Sequence, residues 1–96
     1  MTKEKYLLSI SSSADGAEIN IHTNDEGLAE LEKRIKSLRK QLKTGDCPHS
    51  HLMSESWGLS DLTETMLSTE KEAGCNQVHH VKLYGWTPKW QKKHDL

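Results

Sequence analysis

Apolar and polar residues alternate in two stretches near the start of the chain. In KYLLSIS, residues 5–11, Tyr6, Leu8 and Ile10 occupy every second position, the period of a strand with one buried face. In AEINIHT, residues 17–23, Ala17, Ile19 and Ile21 form the apolar set and Glu18, Asn20 and His22 the polar one. SSADG between them carries an Asp15-Gly16 pair, a strong hairpin signal. The pattern predicts an antiparallel hairpin with Ala17, Ile19 and Ile21 turned inward and Glu18, Asn20 and His22 on a wet face.

The period then changes. Through TNDEGLAELEKRIKSLRKQLKTG, Leu28, Leu31, Ile35, Leu38 and Leu42 recur at spacings of 3, 4, 3 and 4, which predicts a helix of about 20 residues, roughly 30 Å long. Thr23 or Asn24 can cap it, Asp25 and Glu26 suit the positive end of its dipole, and Gly45 is a plausible stop. Fewer than three heptads is short for a free-standing coil, so the stripe is expected against the sheet. Lys33, Arg34, Lys36, Arg39, Lys40 and Lys43 would form a solvated outer face.

Beyond the helix, DCPHSHLMS (46–54) reads as a third strand entered through Pro48. SWGLSDLTETML opens on a Trp57-Gly58 turn signal and is compatible with a short helix or an irregular strand. STEKEAG reads as a polar loop ending in Gly74, QVHHVKLYGW (77–86) as the last strand, and TPKWQKKHDL (87–96) as a tail. The expected fold is α+β: about four antiparallel strands, ββαββ-like, with one long amphipathic helix packed on one face. One domain spans 1–96, with a core over about 4–86.

Composition narrows this. Hydrophobic residues are 33% of the 96 and phenylalanine is absent, so the core must be small, which suits one sheet layer under one helix. The formal net charge is -1, so no global basic field favours nucleic acid. Charge is nevertheless segregated. The helix and tail are basic, and Ser54 to Glu72 is mainly acidic, with Glu55, Asp61, Glu64, Glu70 and Glu72. No apolar run approaches the roughly 20 residues of a membrane span, and MTKEKYLLSISSS is too short in apolar residues for a signal-peptide core. A soluble cytoplasmic protein is expected, with Cys47 and Cys75 reduced.

Histidines and cysteines gather in two places, Cys47-x-His49-x-His51 and Cys75 with His79 and His80. A zinc site bridging two strands would draw on Cys47, His49, His51, His79 and His80, because zinc takes four nitrogen or sulfur ligands. Neither cluster has the tight C-x-x-C knuckle of familiar zinc motifs, so neither metal nor other cofactor is expected. No phosphate loop, nucleophile elbow or metalloprotease helix is present, and histidines on an open sheet would lack a water-excluding pocket. A non-enzyme is expected.

Strand alternation assigns faces. His79, Val81 and Leu83 would turn toward the helix, and His80, Lys82, Tyr84 and Trp86 away from it. With Leu52 inward, His49, His51 and Met53 point outward. The open face would then gather His49, His51, His80, Lys82, Tyr84 and Trp86, with Glu18, Asn20 and His22 beside them. Aromatic rings on a rigid sheet suit protein contact.

HSHLMS, WGLSDL and above all VHHVKLYGW resemble the small immunity proteins of bacterial polymorphic toxin systems, most closely the immunity protein 32 family. His49, His51, Leu52, His80, Tyr84, Gly85 and Trp86 match the motif positions, whereas Cys47 and Cys75 lie outside the pattern. The resemblance implies a cytoplasmic protein that neutralises a neighbouring-gene toxin by stoichiometric binding. The partner would be that toxin, with neither nucleic acid nor membrane involved. The alternative is a small zinc-binding or homodimeric α+β module with no toxin role; homodimerisation is compatible with either.

Overall fold

The expected hairpin forms from β1 (Leu8–Ser12) and β2 (Ile19–Thr23), joined through the Asp15-Gly16 turn, in a computed structural model that describes residues 5–96. Residues 1–4, part of the segment weighed above as a leader and of the core estimate, lie outside the described residues. Ser13 Oγ donates to Asp15 Oδ1, which also accepts from Ala17 N–H, so the turn is tied by its own side chains. The Ser13 hydroxyl first, then the Ala17 amide, holds the Asp15 carboxyl below its ordinary range.

Helix α1 (Asp25–Gln41) follows at once. Asn24 is the cap: its Oδ1 accepts from Gly27 N–H at 3.0 Å and from Leu7 N–H at 3.1 Å, and its amide donates to Lys5 O. One side chain thus pins the helix start to the chain entering β1. Gly27 is required there. A Cβ on it would stand 1.8 Å from Leu7 O and 3.3 Å from Leu8 Cβ, so any side chain would push the first turn off β1.

The second half of the chain builds β3 (His49–Met53), a 3-10 turn (Glu55–Trp57), α2 (Ser68–Glu72), β4 (Asn76–Gln77), β5 (His80–Tyr84) and α3 (Pro88–Lys93). Strands pair antiparallel in two sheets, β2-β1-β4 and β3-β5. One segment, 76–84, serves both: its first part pairs with β1 and its last with β3. Leu8, Ile10, Leu52 and Leu62 form the buried core, with Tyr6, Leu31, Val78 and Val81 packed against it. No described helix is long and apolar enough to cross a membrane.

The α+β architecture is as expected, an antiparallel sheet system under one main helix, and four local readings are corrected. The helix stripe centres on Leu31, against the buried core, and on buried Leu38, while Ile19 and Ile21 of edge strand β2 are exposed rather than buried, as are Leu28 and Ile35. Ala17 is exposed as well. Arg34 leaves the solvated basic face and turns toward β3. Residues 87–96 are not a plain tail: Thr87 Oγ1 accepts from Trp90 N–H and Pro88 occupies the first turn of α3. STEKEAG is not a plain polar loop either, since Ser68–Glu72 forms α2. Ahead of it, Leu62 pairs with Ser54 and Thr63 N–H donates to Leu8 O at 2.8 Å.

Candidate functional site

Register decides which side chains meet on β3 and β5. His49 pairs with Tyr84, His51 with Lys82 and Met53 with His80, while Leu52 opposite Val81 and Ser50 opposite Leu83 turn the other way. Cross-strand partners share a face. His49, His51, His80, Lys82 and Tyr84 therefore lie on one open face, as strand alternation predicts. Leu52 and Val81 anchor the ribbon from behind. Gly85 lets the helix close on it: a Cβ there would stand 3.0 Å from Leu42 Cδ1 and 3.4 Å from Leu38 Cγ.

The rings on that face touch in series. His49 meets His51 edge-on with centroids 4.8 Å apart, and Tyr84 stands 5.5 Å from His49. His51 stacks on His80 at 5.1 Å, and His51 Nδ1 lies 2.8 Å from His80 Nε2. One of those nitrogens must donate and the other accept, so the pair cannot hold two fully protonated rings in this geometry. Partial burial first, then the charges of His49, His80 and Lys82, push His51 below its ordinary value.

His79 departs from its expected place. The strand is interrupted at Val78 and His79, so Val78 and Val81 both reach the core and His79 does not. Its Nδ1 lies 2.8 Å from Ser54 Oγ and 3.0 Å from Glu64 Oε1. The exposed Trp57 ring stacks on His79 at 5.7 Å and lies 6.4 Å from His80. Both neighbouring histidines thus border one tryptophan, which alternation within a regular strand would forbid. Hydrogen bonds from Ser56 and then Ser54, with the nearby His79, hold the Glu64 carboxyl below its ordinary range.

Past the end of β5 the face runs into an apolar groove of about 480 Å³, lined by Cys47, Tyr84, Trp86, Trp90, His94 and Leu96. Trp86 belongs to this groove. Thr87 N–H and Oγ1 both bond Asp46, at 3.0 and 3.1 Å, holding α3 against the entry to β3. The Thr87-Pro88 pair, a cap followed by a first-turn proline, was the available signal for that helix.

Glu18, Asn20 and His22 do not join the open face. His22 Nε2 sits 2.9 Å from Glu70 Oε1 beneath α2, and Ser11 Oγ donates to Glu70 Oε2 at 3.2 Å. Ser9, fully buried, donates to Thr65 O and accepts from Thr65 N–H and Gln77 Nε2. The segment after Asp61 therefore covers the polar side of the β2-β1-β4 sheet. Asp61 itself accepts from Arg34 Nη2 at 2.6 Å and from Met53 N–H, while Arg34 Nη1 donates to His51 O. Three carboxylates of the acidic series are thus engaged within the protein.

Cys47 and Cys75 are free thiols, Cys47 in the aromatic groove and Cys75 just after α2. Among the described residues, no three His, Cys, Asp or Glu side chains form a group that could hold a metal ion. No family model, curated protein or solved structure matches this chain.

Proposed function

We propose that the protein is a stoichiometric binder that neutralises a cognate bacterial toxin, with the β3-β5 face as its contact surface. One observation carries the binding part: the register that gathers His49, His51, His80, Lys82 and Tyr84 on a single uncovered face, flanked by exposed Trp57 and Trp86. Rings already stacked on one another lose little freedom when a partner lands on them, and tyrosine and tryptophan supply large contact area. Lys82 adds a charge that can set orientation. The partner's identity rests on the resemblance of HSHLMS, WGLSDL and VHHVKLYGW to immunity protein 32. In this reading the protein works in the cytoplasm, by covering its target and without turnover of its own.

Co-expression with the toxin encoded beside it tests the reading. The intact chain should protect the cell and co-purify at equal stoichiometry. Tyr84→Ala with Lys82→Glu should remove protection while leaving the circular dichroism of the purified chain unchanged. The absence of a neighbouring toxin gene, together with no protection against candidate toxins, would sink the toxin assignment. Undiminished protection by the double variant would sink the choice of face.

A further inference from the structure

The outer edges of β2, β3 and β5 are treated differently. In the β3-β5 ribbon, Ser54 N–H bonds His79 O and Gly85 N–H bonds Pro48 O, so alternation turns the backbone of His49, His51 and Met53 outward. That edge is covered in part. Asp61 takes Met53 N–H, the amides of Asp61 and Leu62 take Met53 O, and Arg34 takes His51 O. On β5, His80, Lys82 and Tyr84 face outward, and Lys82 is a charge of the kind that blunts natural edges.

Among the described residues, β2 has neither device. Ser13 N–H bonds Glu18 O at one end of the hairpin and Asn24 N–H bonds Leu7 O at the other. Steps of two between those ends assign Asn20 and His22 to β1, leaving the N–H and C=O groups of Ile19, Ile21 and Thr23 directed away from the sheet. β2 is the terminal strand of its sheet. Its sequence INIHT contains no lysine, proline or bulge, and Ile19 and Ile21 are 54% and 52% exposed. An uncharged, isoleucine-rich edge with an outward row of donors and acceptors is a template for another strand.

We infer that this edge is closed by a second copy of the chain, β2 pairing antiparallel with β2 about a two-fold axis through Ile21. The row is self-complementary in that register. Ile21 exchanges both backbone bonds with the partner's Ile21, and Ile19 faces the partner's Thr23. Asn20 falls opposite the partner's His22 and Glu18 opposite the partner's Asn24, so no like charges meet across the seam. The two three-stranded sheets become one, with both copies of α1 on the same face and Leu28, 55% exposed in each first turn, beside the isoleucines. A two-fold contact of this kind closes on itself. It also leaves the β3-β5 face free, so it stands whether or not the toxin reading does.

Sedimentation and amide exchange on the full chain test the dimer. Mass should rise twofold with concentration. Protection of the Ile19, Ile21 and Thr23 amides should rise with the dimer fraction, while Asn20 and His22 stay protected throughout. Ile21→Lys, a change at an exposed side chain, should return the mass to that of one chain with unchanged circular dichroism. Leu59→Lys, at an apolar residue 48% exposed elsewhere, should leave the dimer intact. A single-chain mass at every concentration overturns the inference. So does a dimer whose three amides stay unprotected, or one that survives Ile21→Lys. Protection of those amides that is independent of concentration would mean a cover from within the chain, and overturns it equally.

Discussion

The side of the sheets turned away from the core has a closed half and an open half. Under α2, Ser9, Ser11 and His22 are polar strand residues sealed by Thr65 and Glu70. On β3 and β5, His49, His51, Lys82 and Tyr84 are polar strand residues with no described segment laid over them. Polarity alone therefore does not mark a wet face. Serine hydroxyls are small and need few partners, Ser9 meeting the Thr65 backbone and the Gln77 amide and Ser11 the Glu70 carboxylate, so an irregular segment can lie on them and leave no buried polar side-chain atom without a partner among the described residues. His22 shows that an imidazole too can be covered where a carboxylate such as Glu70 meets it; the rings of His49, His51 and Tyr84 contact one another instead. The closed half is held by its hydrogen bonds; the open half is held from behind by Leu52 and Val81.

The contrast is most exposed at Ser9. Ser9→Ala would leave the Thr65 amide and carbonyl without their partner and take one of two hydrogen bonds from Gln77 Nε2, and should cost about 1–3 kcal/mol in chemical denaturation. A loss below about 0.5 kcal/mol, the range of an ordinary surface change, would show that the lid does not depend on this bond.

Glu70 should matter next. The Leu67 amide first, then His22, holds its carboxyl below the ordinary 4.5. A lowered carboxylate stabilises the fold above the unfolded value and ceases to do so as pH falls through the folded one. Melting temperature should thus fall below pH 4.5, and Glu70→Gln should be less stable at neutral pH with a shallower acid limb. An acid limb of unchanged slope in the variant would reassign that sensitivity to other carboxylates.

The open half should answer weakly in stability. Tyr84→Ala and Lys82→Ala should each change it by no more than about 0.5 kcal/mol, and, on the proposed reading, weaken binding of the toxin by roughly tenfold or more. Calorimetry on the free chain and on the complex separates the two.

The smallest effect belongs to His51. Its ring should titrate below 6.5 by proton NMR, since partial burial and then neighbouring charge lower it. The unfolded chain takes up that proton first, so His51 draws stability down as pH falls below 6.5. Lys82→Gln should raise the midpoint only slightly, because burial is the larger cause. A large rise would make Lys82 the dominant neighbour.

Periodicity made the hairpin, α1 and the β3-β5 face legible. In each, one repeat runs unbroken for the length of the element. His79 escaped because alternation holds only while the strand does, and the strand breaks at Val78 and His79. Ile19 and Ile21 read as core because pattern reports which residues are apolar and not how far the helix reaches across the sheet. Residues 61–65 have no period: their order comes from bonds to Leu8 and Ser9, more than 50 positions away. α3 was too short to show a repeat, although its cap was visible in Thr87-Pro88.

The alternation of β3 and β5 has a consequence for descent. Residues 50, 52, 81 and 83 face inward, and residues 49, 51, 82 and 84 face outward. Substitutions at the outward positions leave every core contact of the ribbon in place. A lineage under pressure to follow a changing surface could rewrite those four letters many times over, while the intervening four stay still and keep the scaffold in being.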